Sequence, residues 1–245
     1  NIPRPRVLWV MLPAGDPTEE VVQGLIPMLS SGDILVDGGN CHYLDSIRRA
    51  SLAKVNGVEY MDVGISGGIK GLDRGYSVMV GGSNDAFDSI EPILRSLAAE
   101  GTAYGWVGPS GSGHYAKMVH NGIEYGLMQA YAEGFELLFS KKEFDIDLGA
   151  LSGIWQHGSV ISSILLDFIN EVLDQNSGLD NIVGYVEDTG GGRWTVSESI
   201  EMNVPTPVIT AALQQRFRSR LENSYGDRLQ AALRHAFGGH SVITN

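Results

Sequence analysis

The sequence feature that most constrains the fold is a change of pattern near residue 112. Before this point, short apolar runs alternate with amphipathic segments; after it, strand-like runs disappear and helical patterns continue to the end. Strands separated by helices are typical of βαβ units that build a mostly parallel sheet. We therefore predict a Rossmann-like α/β domain over residues 1–112, incomplete at its N-terminus, followed by an all-helical domain over residues 113–245.

The elements of both parts can be read from the same patterns. Asp16 and Ser83 are plausible N-caps of the first and third helices. The predicted strands are RVLWVML, DILVDGG, EYMDV, SVMVGG and AYGWVG, and the helices between them are DPTEEVVQGLIPMLS, YLDSIRRASLAKV and NDAFDSIEPILRSLA. Further helices are predicted over roughly 113–142, 147–157, 159–175, 195–203, 206–223 and 225–236, with EDTGGGR in a loop.

A dinucleotide-binding domain of this pattern ordinarily opens with a strand, a glycine-rich turn and a helix. No G-x-G-x-x-G follows a strand at the start of this sequence, which begins at what looks like a middle strand. Either the opening unit lies outside this chain, or the α/β part does not bind a nucleotide. The loops that follow its strands favour the first alternative.

Three of these loops carry glycines and polar side chains. They are MLPAG (11–15), DGGN (37–40) and GISGGIKG (64–71), and ligands of open parallel sheets bind at the carboxyl ends of strands. Asn40 supplies an amide, while Ser66, Gly67 and Gly68 can present a hydroxyl and backbone N–H groups to an anion. A tight turn is the simpler interpretation of each loop alone, but three in one sheet favour a ligand site.

The long helix that opens the second part carries an unusual polar stripe within KMVHNGIEYG. The spacing i, i+3, i+4, i+7 and i+8 places five side chains on one arc of roughly 140°: Lys117, His120, Asn121, Glu124 and Tyr125. A solvated stripe is the alternative, but its usual residues are Lys, Glu, Gln and Arg rather than His, Asn and Tyr. We therefore predict that the stripe lines a site.

The residue types in the stripe indicate acid–base chemistry on a hydroxylated substrate. Burial lowers the pKa of an amine, so Lys117 is the candidate general base. Glu124, two turns along the helix, is the candidate general acid. His120, Asn121 and Tyr125 can hold the hydroxyls of a polyol.

Charge and composition exclude several other classes of function. A net charge of −12 disfavours nucleic acid as a partner, because phosphate backbones need a basic field. No apolar run reaches the roughly 18 residues of a membrane span, and the single cysteine indicates a reducing, cytoplasmic location. The histidines show no spacing typical of metal ligands, so no metal site is predicted.

Taken together, KMVHNGIEYG, DGGN and GISGG resemble the decarboxylating 6-phosphogluconate dehydrogenases, and the similarity runs from MLPAG to the tail FGGHS. The length of the helical part is similar to the short bacterial class. The resemblance implies oxidation and decarboxylation of 6-phospho-D-gluconate to D-ribulose 5-phosphate and CO2, a step of the pentose phosphate pathway, with reduction of NAD or NADP.

The resemblance also implies roles for individual residues. Lys117 matches the general base and Glu124 the general acid, and the loop that lines the coenzyme corresponds to Leu12, Pro13 and Ala14, with Asn40 touching both ligands. The implied substrate contacts are Asn40, Ser66, Gly67, Gly68, His120, Asn121, Tyr125, Arg216, Arg234 and His240. Arg216 lies in VPTPVITAALQQRF and would bind the substrate phosphate. Arg234 and His240 lie in RHAFGGHS, a tail that in the family enters the pocket of a neighbouring subunit, which implies a homodimer.

The sequence departs from the family pattern in the loop TGGGRWT. Thr189 stands in place of a lysine and Gly191 in place of a threonine, whereas Arg193 keeps a basic residue there.

Two alternative functions stay open. One is a sister β-hydroxyacid dehydrogenase of the 3-hydroxyisobutyrate type, and the other is a non-catalytic chain that binds sugar phosphate or dimerises.

Overall fold

The computed structural model describes residues 2–244 and contains a five-stranded sheet in the order β1-β2-β3-β4-β5. Strands β1 to β3 are parallel, β3 and β4 are antiparallel, and β4 and β5 are again parallel. The predicted mostly parallel sheet followed by helices is confirmed. The strands are Val7–Val10 (β1), Ile34–Asp37 (β2), Glu59–Ser66 (β3), Ser77–Gly81 (β4) and Tyr104–Gly108 (β5).

Within residues 2–244, four helices accompany the sheet and six follow it. They are Asp16–Leu25 (α1), Tyr43–Val55 (α2), Gly71–Arg74 (α3), Asn84–Leu97 (α4), Ser112–Ser140 (α5), Leu148–Gln156 (α6), Ile164–Gln175 (α7), Gly191–Glu201 (α8), Pro207–Arg218 (α9) and Tyr225–Gly238 (α10). Short 3₁₀ turns cover Ile26–Met28, Ala99–Gly101 and Lys142–Phe144.

The chain forms two compact units that do not follow the sequence linearly. The first unit runs to Glu124 and includes Gly190–Pro205, which contains α8; the second comprises Tyr125–Thr189 and the chain from Thr206 onward. Helix α5 therefore contributes to both units. The division of the sequence into domains 1–112 and 113–245 stays a prediction.

The first unit has apolar residues packed on both faces of its sheet. Ile34 and Val36 of β2 belong to a cluster with Ile90 of α4, whereas Leu35 packs with Val22 of α1 and others. Successive strand residues point to opposite faces, so a strand buried on both sides reads as a continuous apolar run. This explains why DILVDGG is recognisable as a strand from sequence.

Helix starts follow local capping chemistry, and some of them differ from the prediction. Ser83 caps α4 by accepting a hydrogen bond from the Ala86 N–H, as predicted. Asp16 as the N-cap of α1 is wrong, because Gly15 occupies that position with a φ of 94°. Helix α7 begins at Ile164 rather than near 159, because the Ser163 hydroxyl accepts from the Leu166 N–H.

Helix α8 begins at Gly191, four residues before the predicted start. Gly190 turns the chain into the helix with a φ of 99°, a conformation that favours glycine. The segment EDTGGGR was predicted to be a loop, but its glycines form the start of this helix.

In the second unit, helix α10 has no buried residue. Its apolar residues Leu229, Leu233 and Phe237 recur at i, i+4 and i+8 and are 45%, 57% and 97% exposed. Such a stripe is what a helix presents to a packing partner. No helix within the described residues is both long and apolar enough to cross a lipid bilayer.

Candidate active site

The N-terminus of α5 is fixed to the sheet by a buried carboxylate. Asp62 of β3 accepts hydrogen bonds from the backbone N–H groups of Gly111 at 2.6 Å and His114 at 2.8 Å. These groups belong to the turn at the start of the helix, where N–H groups lack partners within the helix. Sequence reasoning did not assign this role to Asp62. The sequence signal that could have indicated this role is a charged residue inside an otherwise apolar strand.

The helix and β3 approach each other at backbone distance. A Cβ atom on Gly64 would lie 2.5 Å from the Cβ of Lys117 and 2.7 Å from the carbonyl oxygen of Gly113. Only a glycine at position 64 permits this contact. The Lys117 side chain therefore starts directly against the sheet, and it is 7% exposed.

Lys117 opens a chain of polar contacts that crosses from α5 to β3. Its Nζ lies 3.3 Å from His120 Nδ1, and His120 Nε2 lies 3.2 Å from Ser66 Oγ. With a proton on Nε2, the imidazole donates to Ser66 and leaves Nδ1 to accept from the amino group of Lys117. The chain thus joins the candidate base to a hydroxyl at the end of β3.

Burial lowers the pKa values of the two titratable groups in this series of polar contacts. Burial lowers the pKa of Lys117, and the charge of Glu124 opposes that change. The pKa of His120 is also lowered, first by burial and then by the nearby Lys117. Both shifts favour neutral forms, and an uncharged amine is the form that can accept a proton.

The remaining stripe residues of the first unit lie beside His120. Asn121 Oδ1 is 3.4 Å from His120 Nδ1, and Glu124 Oε2 is 3.8 Å from the same nitrogen. A Cβ on Gly191 would come within 2.7 Å of Asn121 Nδ2, so the glycine at this departure from the family pattern makes room for the amide. The carboxylate of Glu124 is half-exposed and can reach a bound molecule.

The DGGN loop is held to β3 by its asparagine. Asn40 accepts from the Ile65 N–H at 2.9 Å and donates to the Ile65 carbonyl at 3.2 Å. Its φ of 52° lies in the left-handed region, which asparagine tolerates better than most residues. The structure therefore places Asn40 next to the strand that ends in Ser66.

The MLPAG and DGGN loops lie against each other. A Cβ on Gly39 would be 2.5 Å from the Leu12 carbonyl oxygen, and Thr18 donates to the Pro13 carbonyl at 2.8 Å. Leu12 is half-buried, whereas Pro13 and Ala14 are exposed. Close backbone loops at the carboxyl ends of β1 and β2 fit one side of a dinucleotide site.

The sequence predicts that the segment GISGGIKG is a loop, but only part of it is one in the structure. Strand β3 continues through Ser66, which pairs with Ser77 of β4. The antiparallel partner extends the strand beyond the apolar run EYMDV, and only then do Gly67 and Gly68 turn with φ values of 140° and 55°. Both glycines are exposed, so their backbone is accessible to a ligand.

In the second unit, Tyr125 and Arg216 form a stacked pair. The Arg216 guanidinium lies 3.6 Å above the Tyr125 ring, and the Tyr125 hydroxyl accepts from the Thr189 N–H at 3.3 Å. Arg216 also donates to the Glu187 carbonyl at 2.7 Å. Stacking on an aromatic ring orients a guanidinium and leaves its other donors for an anion.

The structure does not bring the tail residues to this pair. Arg234 and His240 are exposed, and the carbonyl oxygen of His240 lies 2.8 Å from His235 Nδ1. Within residues 2–244, Arg234 makes no hydrogen bond or ion pair. The substrate contacts predicted for these two residues stay predictions.

Among the described residues, no group of three or more His, Cys, Asp or Glu side chains is arranged to hold a metal ion.

Two family models match the chain along most of its length. The first is described as the NAD binding domain of 6-phosphogluconate dehydrogenase and matches residues 2–108. The second is described as 6-phosphogluconate dehydrogenase, C-terminal domain, and matches residues 113–237.

Individual relatives carry the same description. The NAD(+)-dependent, decarboxylating 6-phosphogluconate dehydrogenase of Haloferax volcanii is 43% identical over 236 residues, which cover 96% of this chain and 78% of that protein. The decarboxylating 6-phosphogluconate dehydrogenase of Synechococcus elongatus is 39% identical over 233 residues, covering 91% of this chain and 50% of that protein.

Solved structures agree in fold. The 6-phosphogluconate dehydrogenase of Plasmodium falciparum, which was solved in apo form, with its cofactor NADP+ and with its substrate 6-phosphogluconate, aligns with a TM-score of 0.81 and 32% identity. That alignment covers 100% of this chain and 53% of the other. A 3-hydroxyisobutyrate dehydrogenase of Mycobacterium tuberculosis aligns with a TM-score of 0.66 at 18% identity, over 86% of this chain and 73% of that one, which shows a shared fold only.

Proposed function

The chain belongs to the 6-phosphogluconate dehydrogenase family, and on that premise we propose that it converts 6-phospho-D-gluconate and NAD or NADP into D-ribulose 5-phosphate, CO2 and the reduced coenzyme. The observation that carries this proposal is the buried Lys117, which is seated on β3 and joined through His120 to Ser66. A neutral amine in that position can take a proton from a substrate hydroxyl.

Lys117 is proposed to act in two steps. It first takes the proton of the C3 hydroxyl, while the bound nicotinamide supplies the acceptor for the hydride that leaves C3. The resulting 3-keto acid loses its carboxylate as CO2, because the neighbouring carbonyl can accept the electron pair as an enol. Protonated Lys117 donates a hydrogen bond to that developing oxygen, which stabilises the charge as it forms.

Glu124 is proposed as the acid of the last step. After CO2 has left, the enediol needs a proton on the carbon that becomes C1 of the product. Glu124 lies seven residues along α5 from Lys117, on the same face, and its half-exposed carboxyl can carry that proton. Separate groups for the two proton transfers allow each to work in its own protonation state.

The substrate contacts are proposed residue by residue. Asn40, Ser66, Gly67, Gly68, His120 and Asn121 of the first unit would contact the sugar acid. Tyr125 and Arg216 of the second unit would contact its phosphorylated end, for which a guanidinium already oriented by stacking is well suited. Thr189 cannot replace the charge of the family lysine, so the proposal relies on Arg216, together with Arg234 and His240, to hold the phosphate end.

The coenzyme is proposed to lie along Leu12, Pro13, Ala14 and Asn40. The contact between the Gly39 backbone and the Leu12 carbonyl brings these loops together.

We also propose that residues 1–112 are the C-terminal part of a coenzyme domain and residues 113–245 the helical domain. A cytoplasmic location belongs to the same proposal, supported by the single cysteine.

Assembly into a homodimer completes the proposal. The exposed stripe of α10 and an apolar groove of about 600 Å³, lined by Tyr131, Phe135 and Phe168 among others, are surfaces that a second copy can cover. In such a dimer, Arg234 and His240 would enter the partner's site. Sedimentation of the protein and of a variant truncated after Ser224 would test this. We expect the full chain to sediment as a dimer and the truncated variant as a monomer. The same assembly state for both proteins would contradict the proposal.

The function is tested by a substrate comparison. Purified protein is given 6-phosphogluconate or 3-hydroxyisobutyrate with NAD and with NADP, and the absorbance of reduced coenzyme is followed together with CO2 released from a labelled C1. We expect turnover and CO2 release with 6-phosphogluconate only. Oxidation of 3-hydroxyisobutyrate alone would indicate the sister class, and no turnover with either would indicate a non-catalytic binding protein.

A further inference from the structure

Arg49 of α2 is a charged side chain with no exposed surface that lies beneath the loops of the candidate coenzyme site. Its Nη1 donates to Asp37 Oδ2 at 3.0 Å and its Nε donates to Glu19 Oε2 at 2.8 Å. Asp37 is also fully buried. Removing two charges from water is expensive, and apolar residues often stabilise a core better than a buried ion pair does. Stabilisation of the core alone therefore does not account for this buried pair.

One partner of Arg49 fixes the DGGN loop. Asp37 is the last residue of β2, and its Oδ1 accepts from the Gly39 N–H at 3.0 Å. The Tyr60 hydroxyl donates to Oδ2 at 2.6 Å, the same oxygen that Arg49 contacts. Both carboxylate oxygens are thus occupied. The orientation of the Asp37 carboxylate determines where the Gly39 backbone lies, and with it Asn40.

The other partner of Arg49 fixes the MLPAG loop. Glu19 lies in the first turn of α1, directly after that loop. The neighbouring Thr18 binds the Pro13 carbonyl, so the position of α1 sets the position of the loop backbone. The hydrogen bond from Arg48 is the largest of the effects that lower the pKa of Glu19 to about 2, which keeps this carboxylate charged. One guanidinium therefore connects the supports of both loops.

We propose that Arg49, acting through Asp37 and Glu19, is a positioning residue that holds the MLPAG and DGGN loops in register to receive the coenzyme. This inference rests on the proposed function for the identity of the ligand. It assigns Arg49 no contact with the coenzyme. A planar guanidinium can bind both carboxylates at once, whereas an ammonium in the same place cannot reproduce that geometry.

The test compares Arg49→Lys with Arg48→Lys. Arg48 is the next residue of the same helix and also binds Glu19, but it is partly exposed and pairs with Asp45 rather than Asp37. For Arg49→Lys we expect the KM for the coenzyme to rise at least about tenfold. The pH profile of kcat should keep its wild-type shape, because Lys117 is untouched. Arg48→Lys should leave the coenzyme KM within about twofold of wild type.

A second measurement does not depend on activity. Amide hydrogen exchange should become faster in the peptide that covers residues 34–44 of Arg49→Lys, and not in that of Arg48→Lys. Unchanged exchange and an unchanged coenzyme KM in folded Arg49→Lys would overturn the proposal. Equal losses in all kinetic constants, accompanied by a lower Tm, would also overturn it, because they indicate a merely structural role.

A further variant tests the same proposal if Arg49→Lys does not fold. Tyr60→Phe removes one hydrogen bond to Asp37 without unpairing a charge, and it should change the same two readouts in the same direction by a smaller factor. Wild-type turnover separates the two hypotheses. If the wild type does not oxidise 6-phosphogluconate, the proposed function fails, whereas the exchange measurement still decides whether Arg49 holds the loops.

Discussion

Replacing Gly64 by alanine tests whether close backbone contact places the candidate base. The added Cβ would lie 2.5 Å from the Lys117 Cβ and 2.7 Å from the Gly113 carbonyl oxygen, both shorter than van der Waals contact. Neither atom belongs to the free end of a flexible side chain, so α5 has to move away from β3. Overpacking of this kind lowers the free energy of unfolding by about 1–3 kcal/mol, which corresponds to a Tm lower by about 2–12 °C for a chain of this size.

The catalytic effect of Gly64→Ala should exceed its effect on stability. Lys117 moves with the helix, and a displacement of about 1 Å at a reacting group can lower turnover about 100-fold. Thermal unfolding and steady-state turnover of 6-phosphogluconate give the two quantities.

Gly105→Ala is the matched control for this variant. It also adds a methyl group to a strand glycine, but its Cβ meets no atom within 4 Å. We expect wild-type activity and an unchanged or slightly higher Tm for the control. If Gly64→Ala behaves like Gly105→Ala in both assays, close packing does not position Lys117 and the reasoning is wrong.

Three further variants test neighbouring parts of the site. Asp62→Asn leaves one buried N–H at the start of α5 without its acceptor, and urea unfolding should show a loss of about 1–3 kcal/mol; no loss would contradict the capping role. Glu124→Gln should lower overall turnover at least about 100-fold while the fold is kept, and full activity would remove its assigned role. Burial lowers the pKa of Lys117 below 10.5, so the unfolded chain binds more protons between the two pKa values and stability rises with pH there. Lys117→Met should therefore be more stable than wild type at pH 7, with an advantage that shrinks as pH approaches 10.5; a constant difference across that range would contradict the shift.

Much of the fold follows from local sequence patterns. Helix α2 has the predicted bounds Tyr43–Val55, and the strand cores of the sheet were recognised because buried strands read as apolar runs. The stripe of α5 was also predictable, because helical periodicity alone brings Lys117 and His120 to one face. The 3.3 Å contact between these two side chains follows from that spacing.

What the sequence did not reveal depends on contacts between distant segments. The extension of β3 to Ser66 requires β4 as an antiparallel partner, and the capping role of Asp62 requires α5 to start beside it. Gly64 was predicted to belong to a loop, but it is needed because a helix packs against its backbone. Arg49 carried no predicted role, and only the tertiary structure pairs it with Asp37.

The central claim is that Lys117 is the base of an oxidative decarboxylation. The most direct measurement gives Lys117→Met 6-phosphogluconate with NAD and with NADP, follows the reduced coenzyme, and measures binding of 6-phosphogluconate by calorimetry. We expect turnover to fall to background while the dissociation constant for 6-phosphogluconate stays within about tenfold of wild type, because only the proton acceptor is removed. Turnover at the wild-type rate in this variant would contradict it.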